Sequence, residues 1–451
     1  MARLFGTDGV RGQANTVLTA QLAFDLGRAG AYVLTNHIKR PKILVGRDTR
    51  LSGNMLESAL IAGIMSVGAD AITVGVIPTP AVAFLTRYYS CDAGVMISAS
   101  HNPMEDNGIK FFNSQGYKLA DEVEDRIEDI IKNRLELPAP VGENVGRRIK
   151  VKNPTQDYVD FLLSTVDVRL DGMKIVVDCA NGASSDIAPS LFEALGAEVL
   201  AYYNSPDGCN INKNCGSTHS ERICELVVEQ DADCGLSFDG DADRLIACDE
   251  RGKELDGDHV LAICAKSMMK EGKLKDDTVV CTVMSNMGLS ICAKEQGFKL
   301  SSTAVGDRYV LERMLEEGYN LGGEKSGHVI FLDHNSTGDG MLTALQLLAA
   351  VKKAGVKISQ AASVMTNLPQ VLINMIVQGD AKQNYMSYEP VAKAIAKAES
   401  ELGSSGRIFV RASGTEPLLR IMLEGPDDAV IARLGLDVAS AMTECFGARR
   451  R

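Results

Sequence analysis

The chain has 451 residues, of which 45% are hydrophobic and 24% charged, with a formal net charge of −12. That length exceeds what one hydrophobic core serves and points to about three or four domains, and the acidic balance argues against nucleic acid, whose phosphates are bound by basic surfaces. Eleven scattered cysteines without a C-x-x-C pair read as free thiols in a reducing compartment; with no apolar run of membrane-spanning length and no apolar core in "MARLFGTDG", the expectation is a cytoplasmic protein without a membrane partner.

In chain order, "FGTDGVRG" (5–12) is a Gly-rich loop bearing Arg11, and "KILVGRDTR" (42–50) reads as a buried strand. "ESALIAGIMSVGAD" (57–70) reads as a helix closing on Gly68, and "AITVG" as the next strand. "ISASHNPMEDNGIKFF" (97–112) takes an apolar strand into a corner of small polar residues fixed by Pro103. "ELPAPVGENVGRRIKVKNP" (136–154) is the expected first interdomain connection. The rhythm of strand, helix, glycine and strand recurs at 174–203 around Gly196 and at 278–306 around Gly297. Glycine just past a helix supplies the left-handed cap, and continuous apolar strands alternating with helices imply sheets covered on both faces.

The last part differs. "TNLPQVLINMIVQG" is expected to carry the third crossing, "RIFVRASGTEPLLRIMLEG" (407–425) reads as two strands around a polar loop, and "AVIARLGLDVASAMTECF" as a closing helix. The predicted class is α/β: three related α/β domains with mixed sheets (1–153, 154–254, 255–367) and a smaller C-terminal α+β domain (368–451), around a central cleft. The terminal Arg449, Arg450 and Arg451 read as a solvated basic tag.

Five stretches can carry chemistry. Ser100 precedes His101, but neighbouring side chains of an extended chain point to opposite faces, and no G-x-S-x-G elbow is present, so acyl transfer by a Ser-His dyad is disfavoured. "LSFDGDADRLIAC" (236–248) sets Asp239, Asp241 and Asp243 at alternate positions between apolar runs. Three carboxylates so gathered repel, by about 4 kcal/mol for a pair 4 Å apart at an effective dielectric of 20, and a bound dication relieves that. All-oxygen ligands suit Mg²⁺ or Ca²⁺. An EF-hand loop is the rival, with Glu250 at its twelfth place, but Arg244 stands where the sharp turn needs Gly and the flanks read as strands. A phosphoryl group on Ser100 would supply the missing Mg²⁺ ligand. "RASGTEPLLR" (411–420) holds Ser413, Gly414 and Thr415 between Arg411 and Arg420, a cradle suited to phosphate. "GEKSGH" (323–328) offers Glu324, Ser326 and His328 to sugar hydroxyls, and "VGDRYV" (305–310) adds Gly306, Asp307 and Arg308. No Walker A or G-x-G-x-x-G pattern supports nucleotide binding.

Together "SASHNP", "DGDADR", "GEKSGH" and "RASGTEP", in this order along the whole chain, resemble the α-D-phosphohexomutase superfamily. The resemblance implies that Ser100 is phosphorylated, that Asp239, Asp241 and Asp243 with the phosphoserine bind one Mg²⁺ per subunit, and that Glu324, Ser326 and the 305–310 loop contact the sugar. It assigns Arg411, Ser413, Gly414, Thr415 and Arg420 to the non-reacting phosphate, and Arg11, His101, Lys110 and His328 to the transferring group, with Lys110 as the first choice of base. "FGTDGVRG" is more similar to the glucosamine branch than to the mannose or glucose branches. The implied reaction interconverts glucosamine 6-phosphate and glucosamine 1-phosphate through glucosamine 1,6-bisphosphate, in a homodimer. Phosphomannomutase or phosphoglucomutase activity is the near alternative. A sugar-phosphate binding protein and an Mg²⁺-dependent phosphatase are rivals of other classes.

Overall fold

The computed structural model describes the chain except residues 1–2, 7, 36–37, 414–416 and 451. It divides into two compact units, 1–285 with 296–364, and 286–295 with 365–451.

The first unit contains three sheets. In the first, strands β1 (Val10–Gln13), β2 (Lys42–Arg47), β3 (Asp70–Val76), β4 (Ala93–Ile97), β5 (Asp106–Asn113) and β6 (Arg148–Lys150) run in the order β1-β5-β4-β2-β3-β6. β2 lies parallel to β3 and β4, whereas β5 turns back antiparallel to β4 and pairs antiparallel with β1. The core is formed where helices Ala20–Thr35 and Ser52–Ser66 bury Leu26, Leu56 and Leu60 with Ile43, Val45 and Val95. The segment expected to be only a connection contributes β6: its three exposed residues add a short parallel edge strand to β3, a pairing too brief to leave an apolar period in the sequence.

The second sheet has the order β11-β10-β9-β7-β8, from β7 (Lys174–Asp178), β8 (Glu198–Tyr202), β9 (Cys234–Phe238), β10 (Leu245–Asp249) and β11 (Glu254–Leu255). β7 is parallel to β8 and β9, and β9 and β10 form an antiparallel hairpin. The third has the order β13-β12-β14-β15, from β12 (Thr278–Thr282), β13 (Lys299–Thr303), β14 (Leu321–Gly323) and β15 (Val329–Phe331), and again closes with an antiparallel hairpin, β14–β15. Each sheet thus carries parallel strands and a hairpin, the second sheet adding the short antiparallel pair β10–β11, so the class is mixed α/β as the strand pattern predicts. The tips of the β4–β5, β9–β10 and β14–β15 hairpins are the serine loop, the acidic loop and the "GEKSGH" loop.

The second unit is α+β. Strands β16 (Gln370–Ile376), β17 (Arg407–Ala412), β18 (Leu418–Glu424) and β19 (Arg449–Arg450) run antiparallel in the order β17-β18-β16-β19. Helices Glu389–Leu402 and Asp428–Phe446 bury Val391, Leu434 and Val438 against Ile373, Ile421 and Leu423. "QVLINMI" is therefore an inner strand of this sheet, and Arg449 and Arg450, although exposed, pair with β16 instead of hanging free. Among the described residues no helix is long and apolar enough to cross a membrane.

Candidate active site

Ser100 sits at the tip of the β4–β5 hairpin, 2% exposed, with φ +51°. A left-handed non-glycine residue costs about 1–3 kcal/mol and persists only where its surroundings enforce it. The turn has a chemical result: it brings His101 Nδ1 to 3.2 Å from Ser100 Oγ. The expectation that these neighbours cannot meet assumed extended backbone, and Ser100 is not extended. Ser100 Oγ also donates to Asp239 Oδ2 at 2.6 Å. The serine of the first sheet and the acidic loop of the second are therefore in direct contact.

Asp239, Asp241 and Asp243 project from the β9–β10 tip, all buried, with carboxylate oxygens within 4.8 Å of one another. The flanks are strands, not the helices of an EF-hand, and Glu250 accepts instead from Ser359. Burial, and then Asp243 and Asp241, drive the Asp239 carboxyl well above its usual range. Asp241 Oδ1 and Asp243 Oδ1 are buried without a hydrogen-bond partner. Crowded, unsatisfied carboxylate oxygens fit a hard dication such as Mg²⁺.

Lys110, 1% exposed on β5, lies 2.8 Å from Asp241 Oδ2, 3.0 Å from Asp8 Oδ2 and 3.9 Å from Asp243 Oδ2. Burial disfavours its charge, but these carboxylates outweigh that and hold it as an ammonium. Asp8 is clamped in turn by Lys110, Lys118 and Arg11, which overcome its burial and keep it well below the usual carboxylate range. Lys118 Nζ bridges Asp8, at 2.6 Å, and Asp307.

A cavity of about 560 Å³ opens above these groups, with Arg11, Ser100, His101, Asp243, Gly306, Asp307, Arg308, Glu324, Ser326 and His328 among its lining residues. Every first-unit residue singled out in the sequence either lines it or, as with Lys110, Asp239 and Asp241, is buried against residues that do. Glu324 Oε1 accepts from Gly306 N at 3.0 Å, which joins the two sugar-loop candidates. His328 Nε2 accepts from Gly338 N at 3.1 Å, which leaves Nδ1–H facing Asp243 Oδ2 at 3.6 Å. Arg11 and Arg244 line this cavity; the Nε of each is buried without a hydrogen-bond partner, and that of Arg244 lies 3.8 Å from Asp243 Oδ1. Arg244, Asp8 and Lys118 were not singled out in the sequence. Arg244 directly follows the acidic trio, and that adjacency was the available signal.

The loops are joined through main chain. Leu245 N donates to Gly327 O and Gly340 N to Ala242 O, each at 3.0 Å. A Cβ on Gly327 would stand 2.2 Å from Leu245 O, and one on Gly240 would stand 2.6 Å from Ser100 O. In the second unit, Arg411 and Arg420 face each other in the β17–β18 register, and burial together with Arg420 lowers the Arg411 pKa. Ser413 N donates to Leu418 O at 2.9 Å. Gly414 and Thr415 lie outside the described residues.

A near-buried serine touching a carboxylate trio, below a cavity lined by guanidinium groups, is an arrangement suited to moving phosphoryl groups on a polar ligand. The chain belongs to the phosphoglucomutase/phosphomannomutase family, which makes it an isomerase of carbohydrate metabolism: residues 2–137 match alpha/beta/alpha domain I, 156–252 domain II, 256–368 domain III and 372–441 the C-terminal domain. It is 59% identical over 439 residues to a phosphoglucosamine mutase of Thermoanaerobacter sp. strain X514, covering 97% of this chain and 98% of that one. To a phosphoglucosamine mutase of Clostridium novyi it is 57% identical over 445 residues, covering 98% and 99%. Among solved structures, a phosphoglucomutase/phosphomannomutase family protein from Burkholderia thailandensis superposes with a TM-score of 0.82 at 24% identity, over 100% of this chain and 99% of that one. An Aspergillus fumigatus N-acetylphosphoglucosamine mutase, solved in complex with GlcNAc-6P and magnesium, superposes with a TM-score of 0.65 at 18% identity, over 98% and 96%.

Proposed function

We propose that this chain interconverts glucosamine 6-phosphate and glucosamine 1-phosphate, with Ser100 as phosphoryl carrier and glucosamine 1,6-bisphosphate as intermediate. The observation that carries the reading is the 2.6 Å contact between Ser100 Oγ and Asp239 at the edge of the cavity. Relatives 55–59% identical over nearly the whole chain are phosphoglucosamine mutases, which favours glucosamine over glucose or mannose. The product would feed amino-sugar nucleotide and cell-wall precursor synthesis in the cytoplasm, and we expect a homodimer.

Asp239, Asp241, Asp243 and phosphorylated Ser100 would hold one Mg²⁺, which when bound offsets the charge of the phosphoryl oxygens. Arg11 and Arg244 line the same cavity, and their guanidinium groups suit those oxygens. His101 is kept neutral, its pKa pushed down to about 4 by burial and then by Arg244 and Arg11, and its Nδ1 stands 3.2 Å from Ser100 Oγ, whose proton is directed at Asp239. Lys110 rests as an ammonium among carboxylates, so it enters as charge partner and proton donor and becomes a base only after a proton has left it. This narrows the role expected of it from sequence. Glu324 and Ser326, with Gly306, Asp307 and Arg308, are assigned to the sugar, and His328 to the transferring group. Arg411, Ser413, Gly414, Thr415 and Arg420 are assigned to the distal phosphate, an assignment supported by the paired guanidinium groups of β17 and β18.

Mass spectrometry of the Ser100 peptide tests the reading, with turnover of the three hexose 6-phosphates compared. Phosphate on Ser100, mutase activity highest on glucosamine 6-phosphate and loss of both in Ser100→Ala are expected. Full mutase activity in Ser100→Ala refutes the carrier role. Net phosphate release without isomerisation would instead identify a phosphatase.

A further inference from the structure

Arg50, at the end of "KILVGRDTR", carries none of the roles above and does not line the cavity, yet its side chain is completely buried. All five of its N–H groups are used. Nε donates to Asp48 Oδ2 at 2.9 Å. One terminal nitrogen donates to the carbonyls of Ser100 and Asn102, both at 2.8 Å. The other donates to those of Pro103 and Asp106, the latter at 3.0 Å. Four carbonyls of a single loop therefore converge on one cation.

The same pair also fixes the other side of the serine. Asp48 Oδ2 accepts from Ser98 Oγ at 2.7 Å, and Ser98 Oγ accepts from Ser100 N at 2.9 Å. The amide and the carbonyl of Ser100 are both tied to Asp48 and Arg50, one through a hydroxyl and one directly. From the connection that follows β8, Asn212 Nδ2 reaches Ser100 O at 2.8 Å and Asn102 O at 3.0 Å. These bonds span the one residue of the loop held at φ +51°.

A buried ion pair is a poor way to gain stability, because well-packed apolar groups do as well or better. A planar guanidinium with five divergent donors is, however, suited to drawing several carbonyls into one curve, and the three donors of a lysine ammonium radiate from a single atom. We propose that Arg50 is the positioning residue of the phosphoryl-carrying loop: it enforces the left-handed turn that aims Ser100 Oγ at Asp239 and the cavity. The inference rests on the reading of Ser100 as phosphoryl carrier.

Arg50→Lys in the full chain tests it. The serine should move without any change in the sugar contacts, so kcat should fall by about 100-fold while KM for glucosamine 6-phosphate stays within about twofold. The ³¹P resonance of the phosphoserine, and its response to Mg²⁺, should differ from wild type. Should Arg50→Lys fail to fold, Ser98→Ala keeps the guanidinium and cuts only the relay to the Ser100 amide, with an expected loss in kcat of about tenfold and the same ³¹P change. A folded variant with wild-type kcat and an unaltered ³¹P signal overturns the inference, even if its melting temperature has dropped. Absence of phosphate from Ser100 in the wild-type enzyme would instead bring down the functional reading itself.

Discussion

Replacing Asp239 by Asn should make the metal-free protein more stable and the enzyme inactive. At 4.8 Å, the widest separation within the trio, two unit charges at an effective dielectric of 20 repel by about 3.5 kcal/mol. Asp239 faces two such partners, with Arg244 and proton uptake offsetting much of the repulsion. The Asn side-chain oxygen can still accept from Ser100, whereas its amide would meet Arg244 N, which now donates to Asp239 Oδ1 at 3.2 Å, at a cost of about 1 kcal/mol. A net gain of about 1–3 kcal/mol follows, or roughly 1–4 °C in melting temperature for a unit of this size. Thermal unfolding of both proteins in chelator and in Mg²⁺ reads this directly. Wild type should gain about 2.7 kcal/mol at a hundredfold excess of Mg²⁺ over its dissociation constant, and the variant should gain nothing and show no turnover. If the variant melts below wild type in chelator, and Mg²⁺ leaves wild type unchanged, the trio is not a strained cation site.

Gly240→Ala places a Cβ 2.6 Å from Ser100 O and 2.8 Å from Ile211 Cδ1; overpacking of this kind costs about 1–3 kcal/mol, and phosphorylation of Ser100 by the sugar bisphosphate, followed by mass spectrometry, should slow. Lys118→Met leaves Asp8 and Asp307 without their shared ammonium; a loss of about 2–4 kcal/mol in urea unfolding is expected, and an unchanged midpoint would show that the bridge contributes nothing. The Asp178 carboxyl is raised from 3.8 to about 6, chiefly by burial. Its protonated form is favoured by the fold, so the stability it contributes is complete below about pH 4 and is lost as pH rises through 6. That amounts to about 3 kcal/mol. Asp178→Asn should therefore gain on wild type across this window, and a flat difference between the two melting curves would refute the assignment.

The α/β rhythm was legible because helix ends and glycines coincide: Gly68, Gly196 and Gly297 all have φ near +90°, beside helices and strands whose apolar runs are continuous. The serine and the acidic trio were legible because both are short, polar and bracketed by buried strands. Arg50, Asp48, Asp8 and Lys118 were not. Each acts on a partner dozens of residues away or more, as in Arg50 with Ser100 or Lys118 with Asp307, and no local period records such a meeting. The Ser100–His101 contact was missed for a different reason: it depends on a backbone angle that serine rarely adopts, enforced by a side chain fifty residues earlier.

The backbone stitching between the acidic loop and the "GEKSGH" loop bears on how such a catalyst can diversify. Leu245, Gly327, Ala242 and Gly340 hold the acidic loop and the "GEKSGH" loop at a set separation by main-chain bonds, with His328 facing Asp243 beside them. On the proposed function, a tip side chain such as Ser326 can change without disturbing that spacing, whereas Glu324 is tied to Gly306 N. A scaffold wired in this way can acquire a new sugar by altering a few tips, while the glycines at the seam stay locked because any larger residue would pry the two ends apart.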